Sequence, residues 1–124
     1  MNDKTVLIVE DDERLREMYS AALTLEGCTV QTAQNGQIGV QAALASHPDI
    51  ILMDIAMPIM DGHDATDEIR KDDWGKDAKI IYLTNQIEAE HLVKALDRGS
   101  SEYIVKSRTP INELVDKVKE VLRS

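Results

Sequence analysis

Short apolar runs alternate with amphipathic segments along most of the chain. Most of the runs are continuous and aliphatic or β-branched, which is typical of strands buried on both faces of a sheet. The predicted strands are Val6–Val9, Thr29–Ala33, Ile50–Met53, Lys79–Leu83 and Tyr103–Val105. An alternation of strands and helices predicts an α/β fold in which helices cover both faces of a parallel sheet.

Five helices are predicted between and after these strands. The first has an apolar stripe that stops before Gly27, a residue typical of a helix C-terminus. The dipeptide Thr109-Pro110 is typical of a helix start and precedes the last apolar stripe. The helical segments are Leu15–Leu25, Gly36–Ala45, His63–Lys71, Ile87–Leu96 and Ile111–Leu122.

Size and composition indicate one globular domain. The 124 residues, 43% of them apolar, are enough for a sizeable core, so residues 1–124 are predicted to form a single domain without an output domain. No run approaches the roughly 20 apolar residues of a membrane span, and the N-terminus lacks a signal peptide's basic start. The net charge of -9 argues against direct binding to nucleic acid. We therefore expect a cytoplasmic protein.

Reactive side chains follow four of the five predicted strands. In open α/β sheets, ligands bind beyond the carboxyl ends of the strands, so we expect these side chains to converge. They are Glu10, Asp11 and Asp12 after the first strand, Asp54 after the third, Thr84 after the fourth and Lys106 after the fifth.

This set of groups suits phosphoryl chemistry. Clustered carboxylates repel one another and favour a divalent cation, and oxygen ligands with open positions suit Mg²⁺. Asp54 is the candidate nucleophile, Lys106 would neutralise charge, and Thr84 would donate to a phosphoryl oxygen. Taken singly, each residue is more simply interpreted as a polar group at a strand exit. Asp11 or Asp12, for example, could cap the first helix. Their combination favours the functional interpretation.

Four motifs together resemble the response-regulator receiver domain, the CheY-like phosphoacceptor module of two-component signalling. They are VLIVEDDE, PDIILMDIAMPIMDG, IIYLTN and GSSEYIVKS, and the similarity covers essentially the whole chain. The resemblance implies a doubly wound (βα)5 flavodoxin-like sandwich with a five-stranded parallel sheet in the order 2-1-3-4-5.

The resemblance also implies a role for each site residue. Asp54 would be the phosphorylation site and Asp11 a direct Mg²⁺ ligand. Glu10 would assist through water, and the carbonyl of Ala56 would complete the protein's share of the coordination. Mn²⁺ could substitute for Mg²⁺. For Asp12, assistance to the site and capping of the first helix remain equally good interpretations.

A switch is implied in the same way. Thr84 and Lys106 would contact the phosphoryl group, and on phosphorylation the Thr84 hydroxyl would move toward it while Tyr103 turns inward. The surface of the fourth helix, fifth strand and fifth helix would then change and be read by a partner. The simpler interpretation of Tyr103 is a half-buried strand aromatic.

Several positions differ from the common family pattern. Ser107 follows Lys106 where a cis proline is usual, so that bond is either trans or a strained cis bond, which costs roughly 2.5–4 kcal/mol. Asn85 replaces a smaller residue, and Ala56 cannot position a water by hydrogen bonding. We predict a long-lived phosphoryl group, although Gln86 could itself orient a water.

The leading hypothesis is a signalling switch rather than an enzyme acting on an external substrate. It would take a phosphoryl group from a histidine kinase or histidine phosphotransfer protein, lose it by autodephosphorylation, and act on an output protein or domain. We expect a monomer or a weak phosphorylation-dependent dimer. A haloacid-dehalogenase-type phosphatase would need an aspartate where Ala56 stands. A receiver-like module that no longer uses phosphorylation stays open because of Ser107.

The remaining unusual residues have simpler interpretations. The three histidines, His47, His63 and His91, show no ligand spacing and are predicted to lie on the surface. Cys28 is predicted to pack as a small apolar side chain. Trp74 is expected to be half-exposed in a polar loop.

Overall fold

The computed structural model describes residues 3–85 and 102–123. Five parallel strands form one sheet in the order β2-β1-β3-β4-β5, as the resemblance implied. Each strand lies within one residue of its predicted bounds. They are β1 (Thr5–Val9), β2 (Thr29–Ala33), β3 (Ile50–Asp54), β4 (Ile80–Thr84) and β5 (Glu102–Val105). The doubly wound flavodoxin-like fold is therefore confirmed.

Four α-helices lie within the described ranges. They are α1 (Glu13–Leu25), α2 (Gly36–Ser46), α3 (Gly62–Arg70) and the C-terminal helix (Ile111–Arg123). Short 3₁₀ turns follow at Gly75–Asp77 and Lys106–Arg108. The predicted helix over Ile87–Leu96 lies outside the described residues. None of the described helices has the length and apolar content needed to span a membrane.

Side-chain caps define where the helices start. The carboxylates of Asp12 and Asp61 and the amide of Asn35 accept N–H bonds from the first turns of α1, α3 and α2 respectively. Gly27 follows the end of α1 with a φ of 91°, and its N–H donates to the Thr24 carbonyl at 3.0 Å. A residue without a Cβ adopts that conformation at little cost, so the predicted stop is confirmed.

The sheet buries two apolar clusters, one on each face. Val6 and Ile8 belong to the cluster beneath α1 and the C-terminal helix, whereas Leu7 and Val9 belong to the cluster beneath α2 and α3. This alternation follows from the two-residue period of a strand. The central strand β3 and its neighbour β4 are buried at every position. Burial on both faces explains why the sequences of these two strands are continuously apolar.

The surface prediction for the histidines was wrong for His63. Its side chain is only 4% exposed, and its ring lies 5.1 Å from that of Tyr82. His47 is exposed as predicted and stacks on the half-buried Trp74, with ring centroids 4.5 Å apart. Cys28 is buried in the apolar core as predicted. His91 lies outside the described residues.

Candidate functional site

The reactive side chains meet at the carboxyl edge of the sheet. Asp54 ends β3, the central strand, while Glu10 follows β1 on one side of it and Thr84 ends β4 on the other. Lys106 follows β5 and reaches across this edge. Its ammonium lies 2.6 Å from Oε1 of Glu10 and 3.0 Å from Oδ1 of Asp54.

The lysine and both carboxylates are withdrawn from solvent. Their side chains are 8%, 0% and 3% exposed for Lys106, Glu10 and Asp54. Burying a charge costs free energy unless it is paired, and here one ammonium serves two carboxylates. Burial, together with the adjacent acids Glu10 and Asp11, raises the pKa of Asp54 to about 8. Burial alone would lower the pKa of Lys106, but its bonds to Glu10 and Asp54 outweigh this and raise it.

Asp11 completes a cluster of three carboxylates. Burial raises the pKa of this more exposed residue, but hydrogen bonds with Asp54 and Glu10 lower it, and the net pKa lies below its ordinary value. One oxygen from each of the three residues lies within 4.8 Å of the others. Within the described part of the chain, the buried Oδ2 of Asp54 has no hydrogen-bond partner. An all-oxygen donor set with an unpaired buried oxygen fits a hard divalent cation such as Mg²⁺.

Asp12 takes the capping position that the sequence left open. Its Oδ1 accepts the N–H groups of Arg14 at 2.9 Å and Leu15 at 3.3 Å. Its own N–H donates to Oε2 of Glu10 at 3.2 Å. The carboxylate of Asp12 thus caps α1, while its backbone N–H helps to orient the Glu10 side chain.

Arg16 is a contact of the site that sequence reasoning missed. Its guanidinium donates to the backbone carbonyl of Glu10 at 2.8 Å and so fixes the acidic turn against α1. The sequence did contain a pattern that could have indicated this contact. Arg16 lies one turn into a helix that follows an acidic strand end. Many surface arginines occupy similar positions, so the pattern alone was not specific.

The end of the loop that follows Asp54 packs against the start of the same loop. The N–H of Gly62 donates to the carbonyl of Ile55 at 2.8 Å. A Cβ on Gly62 would lie 2.3 Å from the Asp54 carbonyl oxygen, so only glycine fits at this close approach. Ala56 is exposed in the loop between them. The start of α3 is therefore packed directly against the backbone of the candidate nucleophile.

Thr84 and Tyr103 share one face of the sheet. Tyr103 pairs in register with Tyr82, and Thr84 follows Tyr82 by two residues, so all three side chains lie on the side covered by α2 and α3. Thr84 is buried and Tyr103 half-buried. The half-buried position agrees with the simpler interpretation of Tyr103 as a strand aromatic, and the switch role stays a prediction.

The turn that carries Lys106 has trans geometry. Residues 3–85 and 102–123 contain no cis peptide bond, so of the two alternatives the Lys106–Ser107 bond is trans. The hydroxyl of Ser107 donates to the carbonyl of Asn85 at 3.4 Å, which links this turn to the end of β4. Asn85 is exposed, and Gln86 lies outside the described residues.

Comparisons with known proteins agree with this geometry. Residues 6–119 match the family described as the response regulator receiver domain. The chain is 35% identical over 123 residues to the phosphate regulon transcriptional regulatory protein PhoB of Pseudomonas aeruginosa, covering 99% of this chain and 53% of that protein. It spans about half, or less, of the length of such curated relatives.

Two solved structures show the same fold over nearly the whole chain. Chemotaxis protein CheY4 of Vibrio cholerae has a TM-score of 0.89 at 27% identity, covering 95% of this chain and 98% of that one. The receiver domain of sensor histidine kinase PA1611 from P. aeruginosa has a TM-score of 0.88 at 30% identity, with 98% of each chain covered. That structure has a magnesium ion coordinated in its active site cleft.

Proposed function

The chain belongs to the response-regulator receiver family, and on that premise we propose that it is a phosphorylation-activated switch of a two-component system or phosphorelay. The phosphoryl group would come to Asp54 from a phosphohistidine on a histidine kinase or histidine phosphotransfer protein. One observation carries this proposal. Buried Asp54 has one oxygen 3.0 Å from an ammonium and a second oxygen without a hydrogen-bond partner in the described part of the chain. In its ionised form, a carboxylate whose oxygens are held this way is a suitable nucleophile.

The transfer proceeds by attack of an Asp54 oxygen on phosphorus. The bond from phosphorus to the donor's imidazole nitrogen breaks, and the imidazole leaves with that electron pair and takes up a proton. The Lys106 ammonium offsets negative charge on the phosphoryl oxygens, and the Thr84 hydroxyl donates to one of them. In autodephosphorylation, water attacks phosphorus and the bond to Asp54 breaks, which releases inorganic phosphate. No external substrate is turned over.

The acidic cluster supplies the metal ligands in this proposal. Asp11 and Asp54 would hold Mg²⁺ directly, the carbonyl of Ala56 would add a third protein oxygen, and Glu10 would assist through water. Mn²⁺ can substitute, because it accepts the same oxygen ligands. A bound divalent cation withdraws negative charge from the phosphoryl oxygens. The three mutually close carboxylates support the assignment, since their repulsion is relieved by such an ion.

Phosphorylation would be transmitted through Thr84 and Tyr103. The Thr84 hydroxyl moves toward the phosphoryl group, and Tyr103 turns inward to the vacated space. Their position on one face of adjacent strands supports this coupling. A cavity of about 440 Å³ adjoins Tyr103 and is lined also by Arg108, in the turn after β5, and by Lys117 of the C-terminal helix. The predicted fourth helix, β5 and the C-terminal helix would form the surface that an output protein or domain reads.

The proposal extends to the setting of the switch. We place it in the cytoplasm, where kinases of this class present their phosphohistidines, and as a monomer or a weak dimer when phosphorylated. Direct contact with nucleic acid or a membrane is not part of its action, because the chain has a net charge of -9.

Intact-protein mass spectrometry after incubation with acetyl phosphate tests the proposal. We expect wild type to gain one phosphoryl group only with Mg²⁺, and Asp54→Ala to gain none. Asp73→Ala is the matched control, because the Asp73 side chain is 99% exposed. It should be labelled as wild type is. No adduct on folded wild type would contradict the proposal and favour a module that does not use phosphorylation.

A further inference from the structure

The loop between β3 and α3 contains a strained turn at Ile59. The φ of Ile59 is 72°, and the N–H of Met60 donates to the Pro58 carbonyl at 2.8 Å across it. A hydrogen bond between residues two apart, around a positive φ, defines the rarer and strained form of the γ-turn. A β-branched residue at a positive φ is a further steric outlier. Strain of this kind tends to persist at functional sites.

Within residues 3–85 and 102–123, little packing of the Ile59 side chain is available to offset this strain. That side chain is 77% exposed. Its neighbours Ala56 and Pro58 are also exposed, while Met57 and Met60 are half-buried. We call residues 56–60 the loop patch. It is a continuous apolar stretch at the surface of a chain in which 30% of the residues are charged.

The loop patch is held firmly in place. A Cβ on Gly36 would lie 2.3 Å from the Met60 carbonyl oxygen, so the loop packs directly on the start of α2. The hydrogen bond from Gly62 to Ile55 closes its other end. Ile59 is thus presented on a fixed backbone, and a contact made by a fixed group loses little conformational entropy.

The loop patch lies within the footprint of any protein that reaches Asp54. Ile59 precedes Gly62 by three residues, which span at most about 11 Å, and Gly62 packs against the Asp54 backbone. A standard interface buries about 800 Å² on each partner, which corresponds to a disc of roughly 16 Å radius. A donor protein centred on Asp54 therefore covers Ile59.

We propose that Ile59 is a contact residue for the protein phosphodonor and enters an apolar recess beside its phosphohistidine. This inference rests on the proposed function and adds a determinant of donor recognition to it. The donor is favoured over other occupants because the loop patch begins two residues after the phosphoacceptor, and only a donor must approach that atom. A small-molecule donor needs no such contact.

Phosphotransfer kinetics with two kinds of donor test the role of Ile59. One arm uses acetyl phosphate, and the other uses an autophosphorylated histidine kinase that labels wild type. The variants are Ile59→Asn, Ile59→Val and the control Leu25→Asn. Leu25 is 86% exposed and ends α1, at the sheet edge opposite Asp54.

We expect Ile59→Asn to lower kcat/KM for the kinase by about tenfold or more, mainly through KM, because a buried aliphatic contact is lost. Ile59→Val should retain most of the rate, Leu25→Asn should match wild type, and the acetyl phosphate rate should be the same in all four proteins.

Three outcomes would overturn the inference. Unchanged kinase transfer to Ile59→Asn would exclude the contact. Loss of both the kinase and the acetyl phosphate reactions would mean that the loop positions Asp54 instead. Self-association of wild type that Ile59→Asn abolishes, with kinase transfer intact, would assign the loop patch to a second copy of the chain. If wild type itself fails to react with acetyl phosphate, the proposed function fails first and independently.

Discussion

The ammonium of Lys106 lies 2.6 Å from Oε1 of Glu10, which is fully buried at the end of β1. The same ammonium also contacts Asp54, so a single cation holds two acids that come from different strands. Without this cation, the two buried acids Glu10 and Asp54 would lie together in a site of low polarity with no positive charge beside them. The lysine therefore has a structural role in the resting protein in addition to its proposed role in phosphoryl transfer.

Replacement of Lys106 should lower stability as well as activity. We expect Lys106→Gln to reduce the free energy of unfolding by about 3 kcal/mol at pH 7, because removing one partner of a buried ion pair leaves uncompensated charge. Urea unfolding measures this. Lys71→Gln is the control, since Lys71 pairs with Glu68 but is 71% exposed, and its effect should stay below about 0.5 kcal/mol. Equal unfolding midpoints for the two variants would contradict the structural role.

The raised pKa of Asp54 predicts that the metal-free protein loses stability as the pH rises. Burial raises this pKa from 3.8 to about 8 in the folded protein. Between these values the unfolded chain binds one proton fewer than the folded chain, so stability falls by up to about 1.4 kcal/mol per pH unit. Urea unfolding in a chelator at several pH values should show this decline, and Asp54→Asn should flatten it. The same slope in both proteins would exclude Asp54 as its source.

Asp12 should matter for stability and little for phosphorylation. Asp12→Ala removes the carboxylate that accepts two N–H groups at the start of α1, which costs about 1 kcal/mol. Thermal unfolding should detect the loss, while labelling by acetyl phosphate stays near the wild-type level. If labelling falls severely and stability does not, Asp12 assists the site directly and the capping role is secondary.

Relief of the strain at Ile59 should stabilise the protein. Ile59→Asn places a residue that tolerates a positive φ in the turn, and we expect a gain of about 1 kcal/mol in the free energy of unfolding. The Leu25→Asn control should change stability by less than about 0.5 kcal/mol, because it alters an equally exposed side chain at an ordinary helical position. A loss of stability in Ile59→Asn would show that the turn is not strained.

If Asp54 is phosphorylated as proposed, the phosphoryl group should survive for minutes rather than seconds. Exposed Ala56 offers no side-chain hydrogen bond to an attacking water, and Asn85 lies at the adjoining end of β4. Loss of the mass adduct after removal of acetyl phosphate measures the lifetime. Ala56→Asn should shorten it, because an amide can orient water. A wild-type half-life of seconds would refute the prediction.

Tertiary packing determined the surroundings of several residues that the sequence pattern did not predict. His63 follows a turn in a polar segment, and only the packing of α3 on β4 places its ring against Tyr82. The contact of Arg16 with the Glu10 carbonyl likewise depends on how α1 lies over the sheet edge. The positive φ of Ile59 lies in a loop that is closed by the hydrogen bond from Gly62 to Ile55. Such features need distances between elements, which local spacing does not contain.

The sequence by itself determined the order of strands and helices and the side chains at the strand ends. Apolar periodicity reports burial directly, and a parallel sheet brings its carboxyl ends to one edge. Only the tertiary structure decided how charge is shared there. The Lys106 ammonium contacts both Glu10 and Asp54. The Asp12 carboxylate caps α1, and the Lys106–Ser107 peptide bond is trans. Pairing energies and pKa values depend on separations of a few ångströms and on desolvation, and both exist only once the chain has folded.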